Sequence, residues 1–130
     1  MIKTPQNESA WQSIHFLDDR GVRAFTRSAA KGTAFIEADI SLVKSDQDLL
    51  SGLAVSLEFP DYFGGNWDAL DECLTDLEWK PASGYVLIAR GARPFWKSNA
   101  ETGGKLVSAW LYAASEWASE GVPFHLIFVP

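Results

Sequence analysis

Apolar and polar positions along the chain follow two periods, and the switches between them lay out the secondary structure. Residues 13–17 alternate briefly and predict a short strand. From 19 to 30, Val22, Phe25 and Ala29 fall on one side of a helix and Arg20, Arg23 and Arg27 on the other. Lys31 continues the basic stripe, and Lys31-Gly32 predicts its end. Residues 33–40 alternate again and predict a strand. Ser45 then offers an N-cap, with Asp48 three positions on in a capping-box pattern. Leu49, Leu50, Leu53, Ala54 and Leu57 carry that helix to near Phe59, where Pro60 disfavours helical geometry. Gly64-Gly65-Asn66 predicts a tight turn, and Asn66 a cap for a helix running to about Leu77. The unbroken apolar run YVLIA at 85–89 suits a strand buried on both faces. Residues 90–99 read as a loop with one helical turn around Phe95-Trp96. Gly103-Gly104 opens a long helix to Glu120, with Leu106, Val107, Trp110, Ala113, Ala114 and Trp117 as its apolar stripe. Gly121 caps it, and 124–129 is a last buried strand. Residues 1–9 are polar and expected to be loose.

The order is β-α-α-β-α-β after an N-terminal extension. Strands separated by helices pair in parallel through right-handed crossovers, so the expectation is a small two- or three-layer α/β domain. At 130 residues and 47% hydrophobic, the chain is long enough for one such core. Its single cysteine, Cys73, forms no intramolecular disulfide and falls on an apolar helix side, as an inert buried thiol would. No signal-peptide pattern opens the sequence and no run is long enough to span a membrane, so a reducing, cytoplasmic location is expected.

Charge changes the picture most. The net charge is −6, from 17 acids and 11 bases. Seven of the acids, Glu58, Asp61, Asp68, Asp71, Glu72, Asp76 and Glu78, lie between Glu58 and Trp79, a stretch with no Lys or Arg. On a helical wheel, Trp67, Leu70, Cys73, Leu74 and Leu77 cluster on one side. Asp68, Asp71, Glu72 and Asp76 spread over the other. Asp68–Glu72 and Glu72–Asp76 are like charges at i, i+4, each costing a helix about 0.2–0.5 kcal/mol. A surface that carries this cost suits a basic partner and repels nucleic acid. A merely solvated face is the plain alternative.

The run FPDYFGGNWDALDECL at 59–74 resembles the signature of barstar-type ribonuclease inhibitors, and EWASEG at 116–121 is a second match. The resemblance covers about residues 34–130 as a barstar-like domain; residues 1–33 have no counterpart in the prototype. It implies a three-stranded parallel sheet, with a possible fourth strand from the extension, packed with about four helices. It also implies a monomeric protein that inhibits a secreted or toxin-type ribonuclease in a 1:1 complex, placing carboxylates in the enzyme's basic RNA-binding cleft. Tyr62, Gly64, Asn66 and Asp68 would lie on the contacting loop and helix start. Glu72 would be the central carboxylate and Glu116 a second acidic contact. Trp67, Asp71 and Asp76 belong to the same candidate face. Asp71 and Leu77 stand where the prototype has Trp, and Glu72 where it has Asp. These departures leave open which basic protein is bound. Beside the contact reading, Asn66 can be a simple cap, Tyr62 can close the core under the turn, and Trp67 can be core or anchor. Trp110 and Trp117 read as core.

Other chemistry is poorly served. His15 and His125 are the only histidines, with no Ser or Cys in a recognisable nucleophile motif. One Cys and two distant His give no metal spacing. Neither Gly-Gly pair has phosphate-loop context. The expectation is therefore no enzyme activity, no cofactor and no metal. Two rivals remain: an immunity or regulatory protein binding a different basic protein through the same face, and nucleic-acid binding through Arg20, Arg23, Arg27 and Lys31.

Overall fold

The apolar run at 85–89 is the middle of a sheet, and the fold is arranged around it. A computed structural model describes residues 12–130. The stretch 1–9, expected to be loose, lies outside the described residues. In chain order the elements are β1 (Ile14–Phe16), α1 (Asp19–Ser28), β2 (Thr33–Asp39), α2 (Asp46–Ser56), α3 (Trp67–Asp76), β3 (Gly84–Arg90), α4 (Ala92–Ser98), α5 (Ala100–Ala118) and β4 (Phe124–Val129). The strands lie in the order β1-β4-β3-β2 and every neighbouring pair is parallel. The architecture is the expected barstar-like α/β fold, with the fourth strand present and five helices among the described residues.

Parallel neighbours need crossovers, and their hand decides the layers. The chain moves one way across the sheet from β1 to β2 and the other way from β2 through β3 to β4. Right-handed connections of opposite direction fall on opposite faces. Accordingly, Tyr85, Leu87, Ala89, Phe124, Leu126 and Phe128 pack with α2, α3, α4 and α5 in the main core. The alternate positions Val86, Ile88, Ile127 and Val129 pack with Val22 and Phe25 of α1. The domain thus has three layers, the second helical layer being α1 alone.

Several boundaries differ from the sequence reading. α1 stops at Ser28, because Ala29 is already extended (ψ 147°). Gly32, at φ +90°, serves the turn into β2 instead of capping the helix. Lys31 therefore leaves the basic stripe. The expected loop at 90–99 contains α4, a helix too short for its periodicity to show. Its Phe95 is fully buried, and Pro94 sits in the first turn, where no helical N–H is lost. α5 begins at Ala100, three residues before the glycine pair. Gly103 is a packing position: a Cβ there would stand 2.4 Å from the Trp96 ring. The capping box at Ser45 is displaced by one residue. Ser45 Oγ accepts from the Asp48 N–H, but the Asp48 carboxylate accepts from the Lys44 N–H.

The two histidines meet on the α1 side of the sheet. His15 Nε2 and His125 Nδ1 are 3.0 Å apart, with the Phe25 ring edge-on to both at 5.0 and 5.1 Å. One nitrogen must be an acceptor, so the bond cannot survive double protonation. Burial lowers both pKa values from 6.5, and the neighbouring His15 lowers His125 further. Folding thus favours the neutral rings. The unfolded chain takes up protons first, so this contribution is complete above the ordinary histidine range and is lost as pH falls through the depressed folded values. The expected loss between pH 8 and pH 5 is about 1 kcal/mol, the worth of one hydrogen bond. Urea midpoints at the two pH values measure it, and His15→Phe should flatten the dependence. An unchanged slope in that variant would assign the dependence to other groups.

Candidate functional site

The loop from α2 to α3 is built to stop and turn. α2 ends with Glu58 in the left-handed region (φ 57°). The Phe59 N–H returns to the Ala54 carbonyl at 2.9 Å and the Glu58 N–H to Val55 at 3.2 Å. Phe59, Phe63 and Trp79 then form an aromatic cluster, with Phe59–Phe63 centroids 4.9 Å apart. Trp79 Nε1 donates to the Leu57 carbonyl. With Phe59 and Phe63 packed inward, Tyr62 is left 66% exposed, outside the core. Its hydroxyl donates to Asp76 Oδ2 at 3.2 Å, fastening the loop to the last turn of α3. Gly65, at φ +72°, makes the turn itself. Gly64 is exposed and has room for a Cβ.

Asn66 caps α3, its Oδ1 accepting from the Ala69 N–H at 2.8 Å. Leu70, Cys73 and Leu74 are buried beneath the helix, and Leu77 ends it in the left-handed region, also buried. The opposite side bears Asp68, Glu72 and Asp76, all exposed, and Asp71, half-buried. The wheel drawn from the sequence is the one observed. Of the seven clustered acids, Glu58 is paired with Lys80 at 2.9 Å and Asp76 receives Tyr62. Among the described residues, the carboxylates of Asp68, Asp71 and Glu72 have no hydrogen-bond or ion-pair partner.

Burial first, and the neighbouring carboxylates second, shift three groups on this side of the molecule. Partial burial, and then the Asp68 charge, raise the Asp71 carboxyl above its ordinary range. Burial, Asp76 and Glu72 push the Cys73 thiol up. Desolvation, followed by Asp76, raises the Tyr62 hydroxyl. Negative potential on this face favours every group that holds its proton.

Trp67 is neither plain core nor free anchor. Its half-buried ring packs against the core, and its Nε1 donates to Asp46 Oδ2 at 3.1 Å. Asp46 also receives Thr102 Oγ1 and Lys105 Nζ, and Lys105 Nζ stands 6.0 Å from the Trp67 ring centroid. One carboxylate at the start of α2 therefore ties α3 to α5. Asp46 lies outside the acidic stretch 58–78, yet it supports the candidate face by holding Trp67. No local pattern reveals this, because the partners are 21, 56 and 59 residues away. Hydrogen bonds from Lys105, Thr102 and Trp67 hold the Asp46 carboxyl at about 2. Its contribution is present above the ordinary carboxylate range and is lost as pH falls through about 2. Asp46→Asn should blunt that acid loss and change Trp67 fluorescence at neutral pH. An unchanged spectrum would mean that the indole does not depend on the charge.

Glu116 is exposed on α5, one turn beyond Tyr112 on the stripe that faces α3. The next residue, Trp117, donates from Nε1 to the Leu74 carbonyl at 2.7 Å, which fixes this end of α5 against α3. Trp117 is half-buried and Trp110 is fully buried. Between the helices runs an open groove of about 740 Å³ lined by Trp67, Asp71, Lys105, Ser108 and Tyr112. The site therefore gathers Tyr62, Gly64, Asn66, Trp67, Asp68, Asp71, Glu72 and Asp76 on one loop and helix, with Glu116 on the adjoining helix. The basic residues Arg20, Arg23 and Arg27 lie on α1, across the sheet from it.

Among the described residues, no three His, Cys, Asp or Glu side chains are placed to hold a metal ion. No described helix is long and apolar enough to cross a membrane. The described residues form a three-layer α/β domain that presents three unpartnered carboxylates on one helix. The chain belongs to the barstar family: the family's sequence model, described as Barstar (barnase inhibitor), matches residues 33–129. β1 and α1 precede that match. No curated protein matches the chain.

Proposed function

We propose that this protein inhibits a microbial ribonuclease by laying α3 and the preceding loop into the enzyme's basic RNA-binding cleft. The observation that carries the reading is the set of unpartnered carboxylates on α3, held on a buried, capped helix. Asp68, Asp71 and Glu72 have charge to give to a partner, and Leu70, Cys73 and Leu74 fix their positions beforehand. Rigid presentation avoids ordering entropy on association, and the charge speeds encounter. Tyr62, Gly64, Asn66, Trp67, Asp76 and Glu116 complete the contact surface, in a 1:1 complex of inhibitor and enzyme. The protein itself performs no chemistry. The proposal places it in the cytoplasm, where its one buried thiol stays reduced.

The test is a pull-down from secreted and lysate fractions of the source cells, with an Asp68→Lys, Glu72→Lys double variant as control. Both residues are exposed, so the variant is expected to fold. A basic ribonuclease retained by the parent protein alone, and silenced in an RNA-cleavage assay, supports the reading. Retention of a different basic protein by the parent alone keeps the face and replaces the ribonuclease with that partner. Association should also slow steeply as salt rises past physiological strength, where the Debye length is about 8 Å. An on-rate indifferent to salt would remove electrostatic steering from the mechanism.

A further inference from the structure

Open α/β sheets bind small ligands outside the carboxyl ends of their strands, where neighbouring crossovers leave toward opposite faces. In this sheet that point is the end of β4. On one side of it β1 feeds α1 on one face, and on the other β3 feeds α4 on the opposite face. A crevice of about 360 Å³ opens there, lined by Phe16, Leu17, Asp18, Arg93, Trp96 and Phe128.

The crevice exists because β1 extends the sheet beyond its helical layer. α4 is the last helix on that face, and its Trp96 forms a wall. The Trp96 ring meets Phe128 at 5.2 Å and 69°, and Phe16 stacks on Phe128 at 5.2 Å and 22°. Phe16 also leans toward Trp96, with centroids 6.3 Å apart and tilted by 47°, yet it stays 67% exposed, its side away from Phe128 open to water. An aromatic face left in water beside two others is a platform for one more ring. The Trp96 Nε1 is itself buried and has no hydrogen-bond partner among the described residues. At the rim, Arg93 is exposed and forms no ion pair among the described residues. Asp18 forms no ion pair with it; its carboxylate is directed to the start of α1, where it accepts from the Gly21 N–H at 2.8 Å.

We infer that this crevice binds a small, flat aromatic acid, its ring on Phe16 and against Trp96, its carboxylate on the Arg93 guanidinium. Arginine pairs with a carboxylate through two parallel N–H donors, which favours the acid over an amine of the same shape. The volume is at the small end for ligand pockets and suits one ring with a short side chain. The inference does not depend on the ribonuclease reading, since β1 lies outside the matched residues and the acidic helix forms no part of the crevice.

Titration of the full chain with 3-phenylpropionate, 3-phenylpropylamine and 3-phenylpropanol, followed by amide and indole NMR shifts, tests it. The expected result is saturable shifts at Phe16, Leu17 and the Trp96 indole. The acid should bind about tenfold or more tighter than the amine, the worth of one charge-assisted pair. Arg93→Gln should abolish the preference for the acid, and Phe16→Ala should weaken all three compounds. Equal affinity for acid and amine, a preference that survives Arg93→Gln, shifts confined to other surfaces, or no saturation at millimolar concentration would each overturn it.

Discussion

Replacing Glu72 with alanine is expected to weaken the proposed complex with a ribonuclease by about 2–5 kcal/mol, or roughly thirtyfold to several thousandfold in Kd. That range is taken from buried interfacial charge pairs in general, the barnase–barstar pair of this family among them. The size follows from what is left behind. In the free protein Glu72 is exposed and unpartnered among the described residues, so its loss costs the fold little. In the complex, its removal would strand enzyme cations in a desolvated cleft. Asp48→Asn is the proper control, because Asp48 caps the Lys44 N–H at the start of α2 and touches no residue of the candidate face. Asp46 is unsuitable for that purpose, since it holds Trp67 and Lys105. Surface plasmon resonance on both variants decides the matter. Equal small effects would mean that another face makes the contact.

Truncating Leu74 to alanine should cost about 2–5 kcal/mol of folding stability, most of it the price of a cavity under α3. Leu74 is completely buried in the main core, and its carbonyl receives the Trp117 indole. Typical domains are stable by only about 5–15 kcal/mol, so a large part of the margin would go. Leu74→Met keeps the volume and should cost less than about 1.5 kcal/mol. Urea unfolding measures both. The folded fraction of Leu74→Ala should bind the enzyme far better than Glu72→Ala does, because the carboxylates are untouched. This separates the residue that positions the helix from the residue that meets the partner. A loss under about 1 kcal/mol would mean that the helix relaxes into the space.

The candidate face was legible for a local reason. Helical periodicity sorts Leu70, Cys73 and Leu74 from Asp68, Asp71 and Glu72 without knowledge of any other element. Asn66 declares its cap through a side chain that reaches only three residues ahead. Tyr62 was left between core and contact because sequence does not say which of three adjacent aromatics turn inward; packing of Phe59 and Phe63 against Trp79 settles it. Misplaced ends have equally physical causes. Gly32 and the Gly103-Gly104 pair look like punctuation, yet one serves a turn and Gly103 makes room for Trp96.

What the sequence determined by itself was most of what is set within about one helical turn or one strand: the types of the longer elements, the Ser45 and Asn66 N-caps, the acidic side of α3, and the continuous apolar runs that must be covered on both faces. Tertiary structure alone decided which face α1 covers, the pairing of His15 with His125, and the bond network that makes Asp46 the support of Trp67. It also decided the crevice beside β1. These depend on the direction in which the chain crosses the sheet and on partners up to 110 residues apart. Local periodicity carries no record of either.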